Sequence, residues 1–317
     1  MRIGIIGTGR HGSRYANHLV HDVDGLDLVA ISRRSAKGGE QAAAWECRWF
    51  ADWRELIAWD QVDAVISVVP PALNPDIARA CARAGKPLLL EKPLAVSSEA
   101  GRKIVDHFRR QNLGLTIGQT LRYNRIIRAF RRELPSLGRL YSISANQRIE
   151  PSTLSWHEEP QLAGAGVSFH TAVHVFDALR FITGLEFQRV TAVSRRHHNS
   201  RLEDLMVVLF VMDQGVVGTL DCSKVGHARS GLFEFVCEHG QLRGDQVHGQ
   251  CEIIRQTTRT SLEADGPVHT IVPLLKDWHR YLSGAGENPV SGEEGLASVR
   301  ICEAVLRSAA TEQWLTV

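Results

Sequence analysis

Met1-Arg2-Ile3-Gly4-Ile5-Ile6-Gly7-Thr8-Gly9-Arg10-His11-Gly12 decides how the first part of the chain folds. Ile3 to Ile6 is a short apolar run that breaks into glycines spaced G-x-G-x-x-G, and a helical stretch follows from Ser13 to about His21. Between a strand and a helix, the first glycine permits a tight turn. The second lets the backbone approach a pyrophosphate, and the third lets helix and strand pack closely. The amino end of the helix then offers N–H groups to the phosphates. This order predicts a dinucleotide site built from Gly7, Thr8, Gly9, Arg10, His11 and Gly12.

The residues that follow keep the same rhythm. Leu26 to Ser32 is apolar, Glu40 to Trp45 is helical, and the β-branched run Val62 to Val69 stops at Pro70-Pro71. Asp76 to Ala84 reads as a helix ended by Gly85, Pro87 to Leu90 as a buried strand running into Glu91-Lys92-Pro93, and Ser97 to Gln111 as a capped helix. Leu115 to Gly118 completes the series. Alternating strands and helices imply a doubly wound parallel sheet with ligands at the carboxyl ends of its strands, a Rossmann domain over residues 1–118. The second strand ends Ile31-Ser32-Arg33-Arg34-Ser35 with no acid to hold a ribose 2′-hydroxyl, so Ser32, Arg33 and Arg34 point to NADP in preference to NAD.

Beyond Gly118 strand-like runs dominate: Leu140 to Ile149, Phe187 to Arg195, Leu205 to Met212, Gly215 to Ser223, Leu232 to Glu238 and Cys251 to Gln256. Turn chemistry at Asp213-Gln214-Gly215 and His239-Gly240 predicts an α+β domain over 119–317 with a large, mostly antiparallel open sheet. Leu205 to Met212 is apolar on both faces, and such a strand needs cover twice. One helix stands apart, Ser168 to Thr183, between Gly164-Ala165-Gly166 and Gly184. It sets His170, His174 and Asp177 at i, i+4 and i+7 along one face.

Composition narrows the function. With 37 Lys and Arg against 35 Asp and Glu, no net field would hold nucleic acid or an anionic membrane, so a small molecule is the expected partner. The six cysteines are scattered with no C-x-x-C pair, which reads as reduced thiols and no metal. Two helical histidines four apart could share an ion, but no Glu lies between them and no Cys pair is near. The glycine turn begins too early for a signal peptide and the longest apolar stretches cannot span a bilayer, so a cytoplasmic location is expected.

Read end to end, the chain resembles the Gfo/Idh/MocA family of NAD(P)-dependent sugar and cyclitol oxidoreductases. The resemblance rests on G-T-G-R-H-G, V-V-P-P-A-L-N, A-G-K-P-L-L-L-E-K-P, Leu121-Arg122-Tyr123-Asn124, and Trp156 followed by G-A-G-V-S-F-H-T-A-V-H-V-F-D. It closes with E-E-G-L-A-S-V-R-I-C-E-A-V-L-R-S-A. The resemblance implies that Val69, Pro70, Asn74, Glu91, Lys92 and Pro93 join the cofactor site and that Lys92 inherits the family's catalytic lysine. It also implies a homodimer or homotetramer through the open carboxyl-terminal sheet. The family pattern places an Asp four residues before a catalytic His; here the His is His174 and the Asp position is His170. A second departure is His157 after Trp156, where many relatives carry Arg.

The expected reaction is hydride transfer between nicotinamide and a hydroxy or keto compound, with Lys92 and His174 in the proton path and His170 tuning or extending it. Lys92, Arg122, Tyr123, Trp156, His157, His170 and His174 are the expected substrate contacts. The rival reading is a non-catalytic NAD(P)-binding sensor or assembly protein of the same fold, against which intact Lys92 and His174 argue.

Overall fold

The computed structural model describes residues 1–199, 201–264 and 269–317, and the chain divides into two compact units. Residues 1–119 and 271–296 form the first, and 120–270 and 297–317 the second. The first unit runs β1 (Arg2–Ile6), α1 (Gly12–His21), β2 (Asp27–Ser32), α2 (Lys37–Ala44), β3 (Arg48–Phe50), α3 (Trp53–Ala58) and β4 (Ala64–Ser67). It continues with α4 (Asn74–Arg83), β5 (Leu88–Glu91), α5 (Ser98–Arg110) and β6 (Leu115–Gly118). All six strands are parallel in the order β3-β2-β1-β4-β5-β6, and the direction of winding switches between β1 and β4. Ile3, Ile5, Val65, Ile66, Leu88, Leu89 and Leu90 are fully buried, as expected for strands with both faces covered. Side-chain caps mark where two of the helices begin. Ser97 accepts from Ala100 N to cap α5, and Asp52 accepts from Arg54 N to cap α3.

β3 and α3 are additions to the sequence reading. β3 has three residues, two of them exposed, and α3 only six, too short for either to show a period.

The division at 118/119 falls one residue early, and the second domain is not the continuous 119–317 expected. Residues 271–296 return to the first unit for two reasons. α9 (Ile271–Leu282) buries Ile271, Leu274, Leu275 and Trp278. β6 is an edge strand that needs cover, and the segment around Asn288 supplies it. The Asn288 amide donates to Leu115 O at 2.8 Å, its Oδ1 accepts from Thr116 Oγ1 at 2.8 Å, and Ile117 N donates to Val290 O at 2.9 Å. The unit boundary then falls inside α10 (Gly292–Thr311).

The second unit contains α6 (Arg125–Glu133), β7 (Leu140–Arg148), α7 (Pro160–Ala163), α8 (Val173–Thr183), β8 (Phe187–Arg195), β9 (Leu205–Met212) and β10 (Val217–Ser223). It adds β11 (Leu232–Cys237), β12 (Gly240–Asp245), β13 (Gln250–Arg255), β14 (Thr258–Ser261) and β15 (Leu315–Thr316). Its nine strands lie in the order β14-β13-β12-β11-β7-β10-β9-β8-β15, antiparallel except where β7 and β10 run parallel. Within the chain, β9 is covered on one face. Met206, Val208, Phe210 and Met212 are buried, while Val207 and Leu209 stay 45% and 42% exposed, beside exposed Val193 on β8 and Val217 on β10.

The helix expected over Ser168–Thr183 is two elements. Ser168–Ala172 winds as a π-helix before α8 begins, and Gly184, with φ +70°, ends α8 in the left-handed region. The wider turn breaks the straight line through His170, His174 and Asp177. His170 and His174 are half-buried, whereas Asp177 is fully buried.

Candidate functional site

The glycine turn fits a dinucleotide. Gly7 has φ +91°, and a Cβ there would lie 2.3 Å from Val68 O; one on Gly12 would lie 1.9 Å from Gly7 O. Only glycine permits so close a turn and so close a helix. At Gly9, by contrast, a Cβ would meet no described atom within 4 Å, so the backbone there faces open space. The first turn of α1 carries no acid that would repel a phosphate.

Two residues outside the motif's glycines hold the loop. Gln41 of α2 accepts from Thr8 Oγ1 at 2.8 Å and donates to Ser13 Oγ at 3.0 Å. Arg33 donates through Nη1 to Thr8 O at 2.6 Å and to Gln41 Oε1 at 3.0 Å, and through Nε to Ser35 Oγ at 2.9 Å. Arg33 is therefore half-buried and partly engaged, Arg34 is exposed, and Ser32 is buried. Arg10 is exposed, and Val69 and Pro70 are half-buried just past β4.

At the carboxyl end of β5, Glu91 is 7% exposed and accepts at Oε1 from Tyr15 OH at 2.6 Å, with His11 Nε2 at 2.8 Å. Its Oε2 accepts from Lys92 N at 3.1 Å. Burial, the largest single influence, pushes the carboxyl up, but His11, Tyr15 and Lys92 together outweigh it and hold it below the ordinary carboxylate range. A buried, charged carboxylate thus holds the backbone N–H of half-buried Lys92. Asn74, expected at the cofactor, is 1% exposed and donates to Pro93 O and Leu94 O at 3.2 and 3.1 Å. It shapes the turn after Lys92.

In the second unit, three of the expected substrate residues come together. The His157 and His170 rings stack at 3.8 Å between centroids, and Trp156 meets both edge-on, at 4.0 and 5.7 Å. Ser152 Oγ lies 2.7 Å from His157 Nδ1, and Lys224 Nζ lies 2.7 Å from His170 Nδ1. Glu203 fixes the approach to this turn, since its Oε1 accepts from Gly166 N, Ser168 N and Ser168 Oγ. Its backbone is so near Gly166 that a Cβ there would lie 1.8 Å from Glu203 O.

Arg122 and Tyr123 are not part of this cluster. Arg122, 8% exposed, donates from Nε and Nη2 to the two oxygens of Asp177 at 2.7 Å each, and Tyr123 is 4% exposed under the Arg128 guanidinium. Arg122 serves the interior, because the Asp177 carboxylate, fully buried on α8, demands a cation. Gln41, Tyr15, Glu203 and Lys224 contact candidate site residues or the turns that carry them, and motif spacing misses all four. The available signal for the last two is faint: charged residues placed immediately beside the apolar strands β9 and β10.

Comparison with known proteins agrees with this architecture. Residues 1–119 match the Gfo/Idh/MocA model described as an oxidoreductase family with an NAD-binding Rossmann fold, and residues 135–243 match a carboxyl-terminal domain model of the same family. The chain is 28% identical over 332 residues to inositol 2-dehydrogenase 2 of Saccharopolyspora erythraea, covering 98% of this chain and 94% of that one. It is 30% identical over 247 residues to inositol 2-dehydrogenase 1 of the same organism, covering 75% and 71%. Among solved structures, levoglucosan dehydrogenase in complex with NADH and levoglucosan superposes with a TM-score of 0.91 at 20% identity, over 100% of this chain and 99% of that one. With the glycine turn, the strand order and both family models in accord, the chain belongs to the Gfo/Idh/MocA family of NAD-binding oxidoreductases.

Proposed function

We propose that the chain is an NAD(P)-dependent dehydrogenase or reductase acting on a CH–OH group of a sugar, cyclitol or related hydroxy or keto compound. The observation that carries this reading is Lys92, which follows β5 at the carboxyl end of the parallel sheet on a turn anchored by the buried, charged Glu91. The names of the similar proteins, inositol and levoglucosan dehydrogenases, support the substrate class.

Gly7, Gly9, Gly12 and the amino end of α1 would hold the pyrophosphate, and Ser32, Arg33 and Arg34 the adenosine ribose. When bound, the nicotinamide supplies hydride exchange. The protein's own work is the proton. Lys92 and His174 take the hydroxyl proton in oxidation and return it in reduction, and His170 adjusts or extends that path. NADP is preferred because exposed Arg34 is available to a 2′-phosphate, while Arg33 braces the loop that receives either cofactor. The open apolar face of β8, β9 and β10 supports assembly into a homodimer or homotetramer.

Titration of both cofactors, then a panel of sugars and cyclitols followed by nicotinamide absorbance, tests the reading. NADPH is expected to bind more tightly, and Arg34→Ala to narrow the difference; equal or tighter NADH binding refutes the preference. Lys92→Ala is expected to lower turnover by about 10²–10⁴ with cofactor affinity nearly unchanged, and His174→Ala to fall in the same class. Undiminished turnover in Lys92→Ala on a verified substrate refutes the catalytic assignment.

A further inference from the structure

Lys224 stands at the end of β10, only 6% exposed, with Nζ 2.7 Å from His170 Nδ1. Burying an ammonium is costly, and here burial pushes the Lys224 pKa down while the carboxylates of Glu203, Asp204 and Glu158 oppose the fall. Its backbone N–H donates to Asp204 O at 2.7 Å, so the side chain leaves a fixed point. The residue also lines a hollow shared with Ser152, His157, Glu158 and Asp204. A buried cation aimed at a ring nitrogen has one chemical consequence. While protonated, its ammonium has three donors and no acceptor, so the ring nitrogen 2.7 Å from it accepts and is the unprotonated one.

We propose that Lys224 is a positioning residue that fixes the tautomer of His170, keeping the ring neutral with its proton on Nε2 as a hydrogen-bond donor toward a substrate oxygen. Three neighbours make one orientation of the ring productive. His157 stacks on its face, Trp156 closes one edge, and Glu203 pins the π-turn that carries it. Ser152 does not impose the same choice on His157, because a hydroxyl can donate or accept. Lys224 therefore decides what His170 presents, although no motif contains it. The role toward substrate rests on the proposed function; the tautomer does not.

Long-range ¹H–¹⁵N correlation spectra of the full chain read the tautomer directly, with the His170 signals identified by their loss in His170→Gln. The wild-type ring is expected to carry its proton on Nε2. Lys224→Met keeps the side-chain length without a donor and should mix the two tautomers, and Lys224→Arg, which again can only donate, should restore the wild-type pattern. On a verified substrate, Lys224→Met should lower kcat about 10-fold, less than the roughly 10²–10⁴ of a group that transfers the proton itself. KM should stay within about threefold, and Lys224→Arg should recover part of the loss. A wild-type ring protonated on Nδ1, or an unchanged tautomer in Lys224→Met, overturns the inference even if Lys224→Met is poorly folded, because the wild-type spectrum stands alone. An Nε2–H ring in a protein that turns over no sugar or cyclitol upholds the tautomer and refutes the proposed function instead.

Discussion

Asp177→Asn separates two uses of Arg122, interior ion pair or substrate contact. In the structure both Asp177 oxygens accept from the guanidinium at 2.7 Å, and the two side chains are 0% and 9% exposed. Removing the charge while keeping the shape leaves a buried guanidinium uncompensated, which typically costs about 3–5 kcal/mol. The Phe181 ring, 5.3 Å from Arg122 Cζ, stays in place and offsets part of the loss, so the lower half of that range is expected. A domain of this size loses about 2–4 °C per kcal/mol, so the melting temperature should fall by about 6–16 °C. Calorimetry with and without denaturant measures it. Replacing the pair together, Arg122→Met with Asp177→Leu, should recover most of the stability, since an apolar pair needs no desolvation. A melting temperature within about 2 °C of wild type, joined to a raised KM, would refute the interior role and return Arg122 to the substrate.

Other parts of the structure give further tests. Because Glu91 is held below its ordinary value of 4.5 in the folded chain, its stabilising contribution is complete above that value and is lost as pH falls through the folded pKa. Tyr15→Phe removes one donor, raises that folded pKa, and should move the onset of acid destabilisation to higher pH; an unshifted onset in acid titration followed by fluorescence refutes the link. Burial pushes the Cys47 thiol up to about 11 and Cys81 up to about 12, so native protein at pH 8 should react slowly with a thiol reagent and unfolded protein fast. Rapid native labelling of either residue counts against that. In sedimentation at micromolar concentration the wild type should exceed a monomer, and Val207→Lys with Leu209→Lys should shift it toward one, because both side chains lie on the open face of β9. A monomeric wild type refutes that use of the face.

Much of the fold was legible because its signals are local. The run Ile3 to Ile6 must be a strand once glycines at 7 and 12 are required by contacts under 2.5 Å, and Ser97 marks the start of α5 by its own cap. Signals that depend on distant partners were not legible. Nothing within residues 271–296 announces that Asn288 will complete the edge of β6, more than 170 residues earlier in the chain. Likewise, β9 is apolar at every position and so calls for cover on both faces, whereas the chain itself covers one and leaves Val207 and Leu209 open.

The candidate site divides along the same line. Motifs name the residues proposed to face a ligand: Lys92, His157, His170 and His174 are all half-buried. They do not name what fixes them. Glu91 owes its low pKa to Tyr15 and His11, the glycine loop leans on Gln41 and Arg33, and His170 meets Lys224, each partner arriving from a different element. Spacing on one helix also set His170 in line with His174 and Asp177, since a period of 3.6 assumes an uninterrupted α-helix and Ser168–Ala172 is wound more widely. An anchoring residue is constrained only by the atom it must reach, so it carries no spacing rule.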